Sequence, residues 1–241
     1  MNAEIITIGD ELLIGQVVNT NSSWIAESLN GIGIGVIQMT SIPDQEKAII
    51  QALVQAGERA HIIFITGGLG PTSDDITKNV LATYFGGKLV RNEEVLHEIR
   101  EFLASRRVEL NELNLGQAMV PDNCVIIPNR WGTAPGMWFK KKGVEYISMP
   151  GVPYEMKGMM TGTILPELRK RYKLPVILHR TIVTQGIPES HLAGMLENYE
   201  KTLHKDIRLA YLPSPGIVRL RLSITGKEKE KTEALLNREI E

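Results

Sequence analysis

The segment Thr66-Gly67-Gly68-Leu69-Gly70-Pro71-Thr72-Ser73-Asp74-Asp75-Ile76-Thr77 combines three glycines with two adjacent aspartates, and it carries the most chemistry in the 241-residue chain. Glycines between a strand and a helix let the backbone take positive φ and turn several N–H groups toward an anion. The helix N-terminus that follows adds positive potential. The pattern is therefore that of a phosphate cradle. It is not a Walker A loop, because no Lys-Ser/Thr follows, and it is not a dinucleotide fingerprint, because Gly68-x-Gly70-x-x-Ser73 lacks the third glycine. Asp74 and Asp75 have two readings: they cap the next helix, or they hold a divalent cation. Carboxylates beside a phosphate repel it unless a cation lies between them, and a magnesium-like ion on one or two carboxylates plus phosphate oxygens removes the conflict.

Three further segments belong with this loop. Gly9-Asp10-Glu11-Leu12-Leu13-Ile14-Gly15, followed by Asn19-Thr20-Asn21, comes after the first strand-like run, where it is either a binding rim or an acidic turn with Asn21 as a helix cap. Gly132-Thr133-Ala134-Pro135-Gly136 and Pro150-Gly151-Val152-Pro153-Tyr154-Glu155-Met156 are tight loops of small residues that each read as a turn when taken alone. Gathered on one edge, such loops surround a nucleotide-sized ligand with backbone N–H groups. The five histidines are scattered without metal-ligand spacing, and no Gly-x-Ser-x-Gly elbow occurs. Lys140-Lys141-Lys142-Gly143 reads as a hairpin turn carrying solvated charge.

The elements that must position these loops alternate. Glu4 to Ile8, Ile34 to Met39 and His61 to Thr66 are apolar nearly throughout, as buried parallel strands are. Between them lie a helical pattern with Trp24, Ile25 and Leu29 on one side, and another with the stripe Ile49, Ile50, Leu53 and Val54. In such a βαβαβ array the loops after the strand carboxyl ends converge on a ligand crevice. Helices are expected up to Phe85, over Glu93 to Arg106 and over Tyr154 to Arg171, with strands over Cys124 to Ile127, Met137 to Lys140 and Val144 to Met149. The pattern breaks at Tyr172 to Pro175. Beyond it, a strand (Val176 to Gln185), a helix opened by Pro188-Glu189, two strands (Ile207 to Leu212 and Ile217 to Ile224) and a charged helix from Lys227 make a small α+β unit of βαββα order. The expected organisation is an α/β domain over 1–172, a mostly parallel sheet flanked by helices, and a smaller α+β domain over 176–241. The last helix is still running at the end of the sequence, which leads us to expect a fragment of a longer protein.

The balance of 43% hydrophobic and 23% charged residues excludes collagen-like, disordered and disulfide-scaffold classes. A net charge of -1 gives no general attraction to nucleic acid or anionic membrane, and the few aromatics weaken any base-stacking platform, so nucleic acid is not an expected partner. The second unit also lacks the Gly-x-x-Gly clamp of an RNA-binding KH unit. No apolar run approaches a membrane span, and the acidic start is unlike a secretory signal, so a cytoplasmic protein is expected. Cys124, the one cysteine, is expected to be a buried, inert thiol.

Four motifs in order carry a resemblance: Gly9-Asp10-Glu11-Leu12-Leu13-x-Gly15 with Asn19-Thr20-Asn21, the segment Thr66 to Thr77, Gly132 to Gly136, and Pro150-Gly151-Val152-Pro153-x-Glu155-Met156. Together they resemble the competence/damage-inducible protein CinA family over essentially the whole chain. The resemblance implies a molybdopterin-binding (MoCF-like) domain followed by a small α+β domain. It does not extend to the nicotinamide-mononucleotide deamidase domain that many relatives add.

For the first domain the resemblance implies a pyrophosphatase dependent on Mg²⁺, Mn²⁺ or Co²⁺ that splits ADP-ribose into AMP and ribose 5-phosphate. It implies Gly67, Gly68 and Gly70 amides on the diphosphate, Asp75 with Asp74 on the metal, and Glu11 or Asp10 completing the metal shell or acting as base. Thr77 would support the loop, and Pro150, Gly151 and Pro153 would shape the opposite wall. Gly9, Asn19, Asn21, Pro71, Thr72, Thr133 and Glu155 complete the expected substrate contacts. Molybdopterin adenylyl transfer is the alternative reaction, and a non-catalytic nucleotide- or pterin-binding module is the alternative class. A homodimer is the assembly the family suggests.

Overall fold

The computed structural model describes residues 1–240. Its contacts divide the chain into two units, one of Met1–Leu29 and Gly35–Tyr172, the other of Asn30–Ile34 and the chain from Lys173 on.

The first unit runs β1 (Asn2–Ile8), α1 (Asp10–Leu13), α2 (Thr20–Asn30), β2 (Gly35–Ile42), α3 (Glu46–Arg59), β3 (Ile62–Thr66), α4 (Thr77–Phe85), β4 (Leu89–Arg91), α5 (Glu93–Ser105), α6 (Glu112–Gln117), β5 (Met119–Pro121), β6 (Val125–Ile127), β7 (Gly136–Lys141), β8 (Val144–Met149), α7 (Pro153–Met159) and α8 (Leu165–Arg171). Six strands form one sheet in the order β2-β1-β3-β8-β7-β6. The first four are mutually parallel and the last two antiparallel. Its central strands are buried on both faces, which is why they read as unbroken apolar runs. Ile6, Ile8, Ile63 and Ile65 pack with Ile49 and Leu53 of α3 and Val80 and Leu81 of α4. Between β7 and β8 the chain turns through Lys142 and Gly143, both at positive φ, as a two-residue hairpin requires. A π-turn over Met160–Ile164 joins α7 to α8 just before Pro166, whose ring and missing N–H interrupt the regular helical ladder.

Several expectations are corrected. The run Ile34 to Met39 is not a buried strand: β2 lies at the sheet edge, with Ile37 and Met39 about half exposed (47% and 48%). Val54 points outward from α3 although Ile49 and Leu53 face the core. Asn19, not Asn21, caps α2, its Oδ1 accepting the Ser22 N–H at 3.1 Å. Cys124 is only half-buried; its thiol donates to the Pro121 carbonyl at 3.2 Å, and burial raises its pKa to about 11, so it stays protonated. The ribbon β4-β5 and helix α6 are too short to register as periodic patterns, although α6 carries a capping box between Asn111 and Asn114.

The second unit runs β9 (Val176–Gln185), α9 (Glu189–Thr202), β10 (Ile207–Ser214), β11 (Ile217–Gly226) and α10 (Lys229–Arg238). Its antiparallel sheet has the order β10-β11-β9. Alternate residues of β11, namely Val218, Leu220, Leu222 and Ile224, are buried and form small cores with Leu192 of α9 and Leu236 of α10.

Candidate functional site

All four parallel strands of the first unit end on one edge, and the chain leaves each of them through a loop: Gly9 after β1, Pro43-Asp44 after β2, Gly67 after β3 and Pro150-Gly151 after β8. These loops enclose a cleft of about 350 Å³. It is lined by Gly9, Glu11, Gly67, Gly68, Gly70, Pro71, Asp74, Asp75, Thr133, Pro150, Gly151 and Glu155, together with Asp44 and the apolar Ile8, Leu69, Ala134 and Val152.

Backbone forms the floor. Gly67 (φ 114°) has no room for a side chain, because a Cβ there would run into the Ile8 carbonyl, while Gly151 approaches from the other side. Gly68 (φ 64°) lies against the Thr77 hydroxyl, and the Asp44 carboxylate is close enough that a Cβ on Gly68 would be 3.3 Å from Asp44 Oδ1. The Gly67 N–H is already committed to the Met149 carbonyl at 3.1 Å. It is therefore unable to serve a ligand, contrary to the expectation. Gly68, Leu69 and Gly70 make no backbone hydrogen bond through N–H among the described residues, and these three are the donors free to meet an anion.

Asp75 is oriented by Thr72, whose N–H and hydroxyl both donate to Asp75 Oδ2, at 3.0 and 2.5 Å. Thr72 thus faces the aspartate and not the cleft. Asp74 is exposed; the Thr72 hydroxyl and its own N–H hold its carboxyl below the usual range. Asp44 Oδ2 accepts the Asp10 N–H at 3.0 Å. Burial raises the Asp44 pKa against that bond, and the charges of Asp10, Glu11 and Asp75 raise it further. On the opposite wall Glu155 accepts from Asn129 Nδ2 at 2.6 Å and lies where Gly132 leaves space for its carboxylate. Burial raises its pKa too, with Asn129 and Arg106 opposing.

The remaining expected residues are struts. Asn21 Nδ2 donates to the Gly151 carbonyl (2.8 Å) and to Thr66 Oγ1 (3.3 Å), and Thr66 Oγ1 donates to the Pro150 carbonyl (2.8 Å). This chain of bonds ties the start of α2 to the loop after β8. Asn19 holds Thr7 Oγ1 (2.9 Å) and Ser41 Oγ (3.2 Å). Asn19, Asn21 and Pro153 line a smaller cavity of about 90 Å³ that shares Glu11 and Gly151 with the main cleft. Thr77 is fully buried and its N–H bonds the Gly68 carbonyl at 3.1 Å, so it braces the loop from behind. The Asp10 side chain is exposed and does not line the cleft.

Asp44 is the residue that sequence reasoning missed. The signal present was its place: Ile42-Pro43-Asp44 ends the second parallel strand, the same position as the other three loops. No Lys, Arg or His lines the cleft, while Glu11, Asp44, Asp74, Asp75 and Glu155 do. Oxygen donors of this kind suit a hard divalent cation. Among the described residues no three Asp, Glu, His or Cys side chains converge as a ready-made cage. The fit is thus to an ion carried on one or two carboxylates with its other positions taken by ligand oxygens and water, as Mg²⁺ prefers.

Comparison with known proteins gives the same division of the chain. Residues 4–170 match the family model described as a probable molybdopterin binding domain, and residues 179–241 match that of the damage-inducible protein CinA KH domain. A CinA-like protein of Flavobacterium psychrophilum is 49% identical over 95% of this chain and 55% of its own length, and one of Cytophaga hutchinsonii is 45% identical over 99% and 57%. The crystal structure of the protein CinA, of unknown function, from Thermoplasma acidophilum is 34% identical, with a TM-score of 0.62 over 68% of this chain and 96% of that one. The chain spans somewhat more than half the length of the curated relatives it matches. No helix among the described residues is long and apolar enough to cross a membrane. By both family models and by these relatives, the chain belongs to the CinA-like proteins, with a molybdopterin-binding fold followed by a CinA KH domain.

Proposed function

We propose that the cleft hydrolyses a nucleotide diphosphate anhydride with a divalent cation, ADP-ribose giving AMP and ribose 5-phosphate. The observation that carries this reading is the pairing of free loop amides with carboxylates in a cleft that no basic side chain lines. A phosphate ligand meets net negative charge there, and only a cation reconciles the two. A volume of about 350 Å³ suits a nucleotide-sized ligand bound in part.

In this reading the Gly68, Leu69 and Gly70 amides hold the diphosphate, and Asp75, pre-oriented by Thr72, holds the cation together with Asp44 or Asp74. Bound Mg²⁺, Mn²⁺ or Co²⁺ supplies charge neutralisation and Lewis-acid polarisation at the anhydride. Glu11, which lines the cleft where Asp10 does not, accepts the proton of the attacking water on its carboxylate. The new P–O bond forms on one phosphorus as the bridging oxygen leaves with the other phosphate.

The test is turnover. The purified chain is incubated with ADP-ribose and each metal, AMP is followed, and the assay is repeated with Asp75→Asn. Metal-dependent AMP that disappears in the variant is the expected result. Absence of AMP with every metal, while nucleotide still binds, overturns the hydrolase in favour of a binding module. The description of the matched domain as molybdopterin binding favours a second reading, adenylyl transfer from ATP to molybdopterin, which adenylylated pterin in the same assay format would establish. We also propose a homodimer, on family grounds, to be measured by light scattering.

A further inference from the structure

The second unit separates its charges by face. No residue of β9, β10 or β11 is Asp or Glu; its carboxylates lie on α9 and α10 and in the connecting segments. Val218, Leu220, Leu222 and Ile224 of the central strand are buried, so the alternate residues Arg219, Arg221 and Ser223 lie on the opposite face. The register extends that face. Arg219 stands between Leu212 and Val183, Arg221 between Ala210 and Thr181, and Ser223 between Arg208 and His179.

Arg208, Arg219 and Arg221 are exposed, and none forms an ion pair among the described residues. Arg180, directed to the other face by the same alternation, does: its Nη2 meets Glu233 at 2.6 Å. At one end of the open face lies a depression of about 440 Å³ whose lining includes His179, Lys205, Arg208 and Ser223, with Asp206 as its one acid. His179 Nδ1 and Ser223 Oγ share a hydrogen bond of 2.8 Å.

We propose that this open sheet face binds the sugar–phosphate backbone of single-stranded nucleic acid. Arg219 and Arg221 are two residues apart on one strand, about 7 Å along its axis, comparable with the separation of successive phosphates in an extended strand. Guanidinium forks grip phosphate in a bidentate way, and the flanking Thr181, Ser223 and Ser214 offer hydroxyls to the sugar and phosphate oxygens. The arginines occupy the central strand, where a folded protein partner would need an apolar anchor. The larger apolar side chains, Val183 and Leu212, stand only on the flanking strands, so no wedge is present to enter a bilayer. No aromatic ring lies on this face, since Tyr211 pairs with Leu220 on the buried one; binding is therefore sequence-tolerant and salt-dependent. The chain's net charge of -1 conceals this local field because the acids of the same unit sit on its helices.

The experiment is fluorescence anisotropy of the full chain with labelled oligo(dT) and oligo(U), at about 50 and about 200 mM salt. A duplex, a poly-glutamate peptide and phosphatidylserine vesicles serve as competing ligands. Both single strands are expected to bind, and Arg219→Gln/Arg221→Gln is expected to weaken them at least tenfold at the lower salt. The slope of log affinity against log salt should fall by about 1.4 in that variant, about 0.7 for each phosphate that is no longer neutralised. Thermal unfolding checks that the double variant is folded, Arg208→Gln provides a second variant of the same face, and Arg169→Gln/Lys170→Gln on α8 should leave affinity unchanged. Absence of oligonucleotide binding at the lower salt overturns the proposal. So does equal binding by the folded face variants, or preference for the duplex, the peptide or the vesicles.

Discussion

The two units present phosphate-compatible surfaces built on opposite plans. In the first, the anion-facing groups are backbone amides at the ends of parallel strands, and the side chains around them are acids. In the second, the groups are arginine side chains on the flat of an antiparallel sheet, and the acids are kept on the far side. The difference teaches what each surface requires. The cleft needs a cation before it accepts phosphate, so it selects for a metal-bound ligand of limited size. The face carries its own charge and needs only an extended polyanion.

The sharpest way to break this comparison is Asp75→Asn. The amide keeps an oxygen to accept from Thr72, so the loop should hold its shape while ADP-ribose turnover falls by about 100-fold or more. Metal-dependent turnover that survives in Asp75→Asn would remove the cleft's dependence on that carboxylate. Next comes the contrast between the two sides of one sheet in the second unit. Leu222→Ala should cost about 2–5 kcal/mol in denaturant unfolding, whereas the arginine pair replaced by glutamine should stay within about 0.5 kcal/mol. Comparable losses from both would mean that the arginines are structural.

Gly67→Ala tests the other plan. At φ 114° an alanine is strained, and its methyl meets the Ile8 carbonyl, so a loss of about 2 kcal/mol is expected together with weakened nucleotide binding. Asn19→Ala should cost about 1 kcal/mol, the usual loss of a helix cap, with a smaller effect on binding than on unfolding. The smallest effect is expected from Glu155→Gln. Its folded carboxyl titrates above the unfolded one, so the folded state holds the proton more tightly, and wild-type stability declines as pH rises through the folded pKa. Glutamine removes that titration and can still accept from Asn129, so a stability difference that grows from acid to neutral pH is the expected signature.

Much of this is legible in the residues themselves. The strands β1 and β3 announce themselves because burial on both faces makes them apolar throughout, and the glycines that follow sit where parallel strands end. Asp44 is not legible in the same way. One aspartate after one proline has no local pattern, and its meaning arises only when β2 is laid beside β1 and its exit joins the other three. The apolar run of β2 misleads for a related reason: composition does not say which strand is at the edge. Gly67 belongs to the site as its motif implies, but its amide is used by Met149, a bond between residues 82 positions apart that no spacing rule anticipates. The arginine face shows a different limit. The alternation Arg219-x-Arg221 and the lack of acids in three strands are visible in the sequence, yet a summed charge erases them, because the helices that cancel the sum face elsewhere.

A floor made from Gly67, Gly68, Gly70, Pro150 and Gly151 has a further consequence for binding. These residues have no rotamers to freeze, so a ligand settling on them finds its partners already at their final conformational entropy. Each long side chain immobilised at a binding surface typically costs about 0.5–1.5 kcal/mol, and the arginines of the second unit incur that cost while the loop amides do not. The cleft can therefore be small and still selective, because little of the interaction energy goes into ordering the protein.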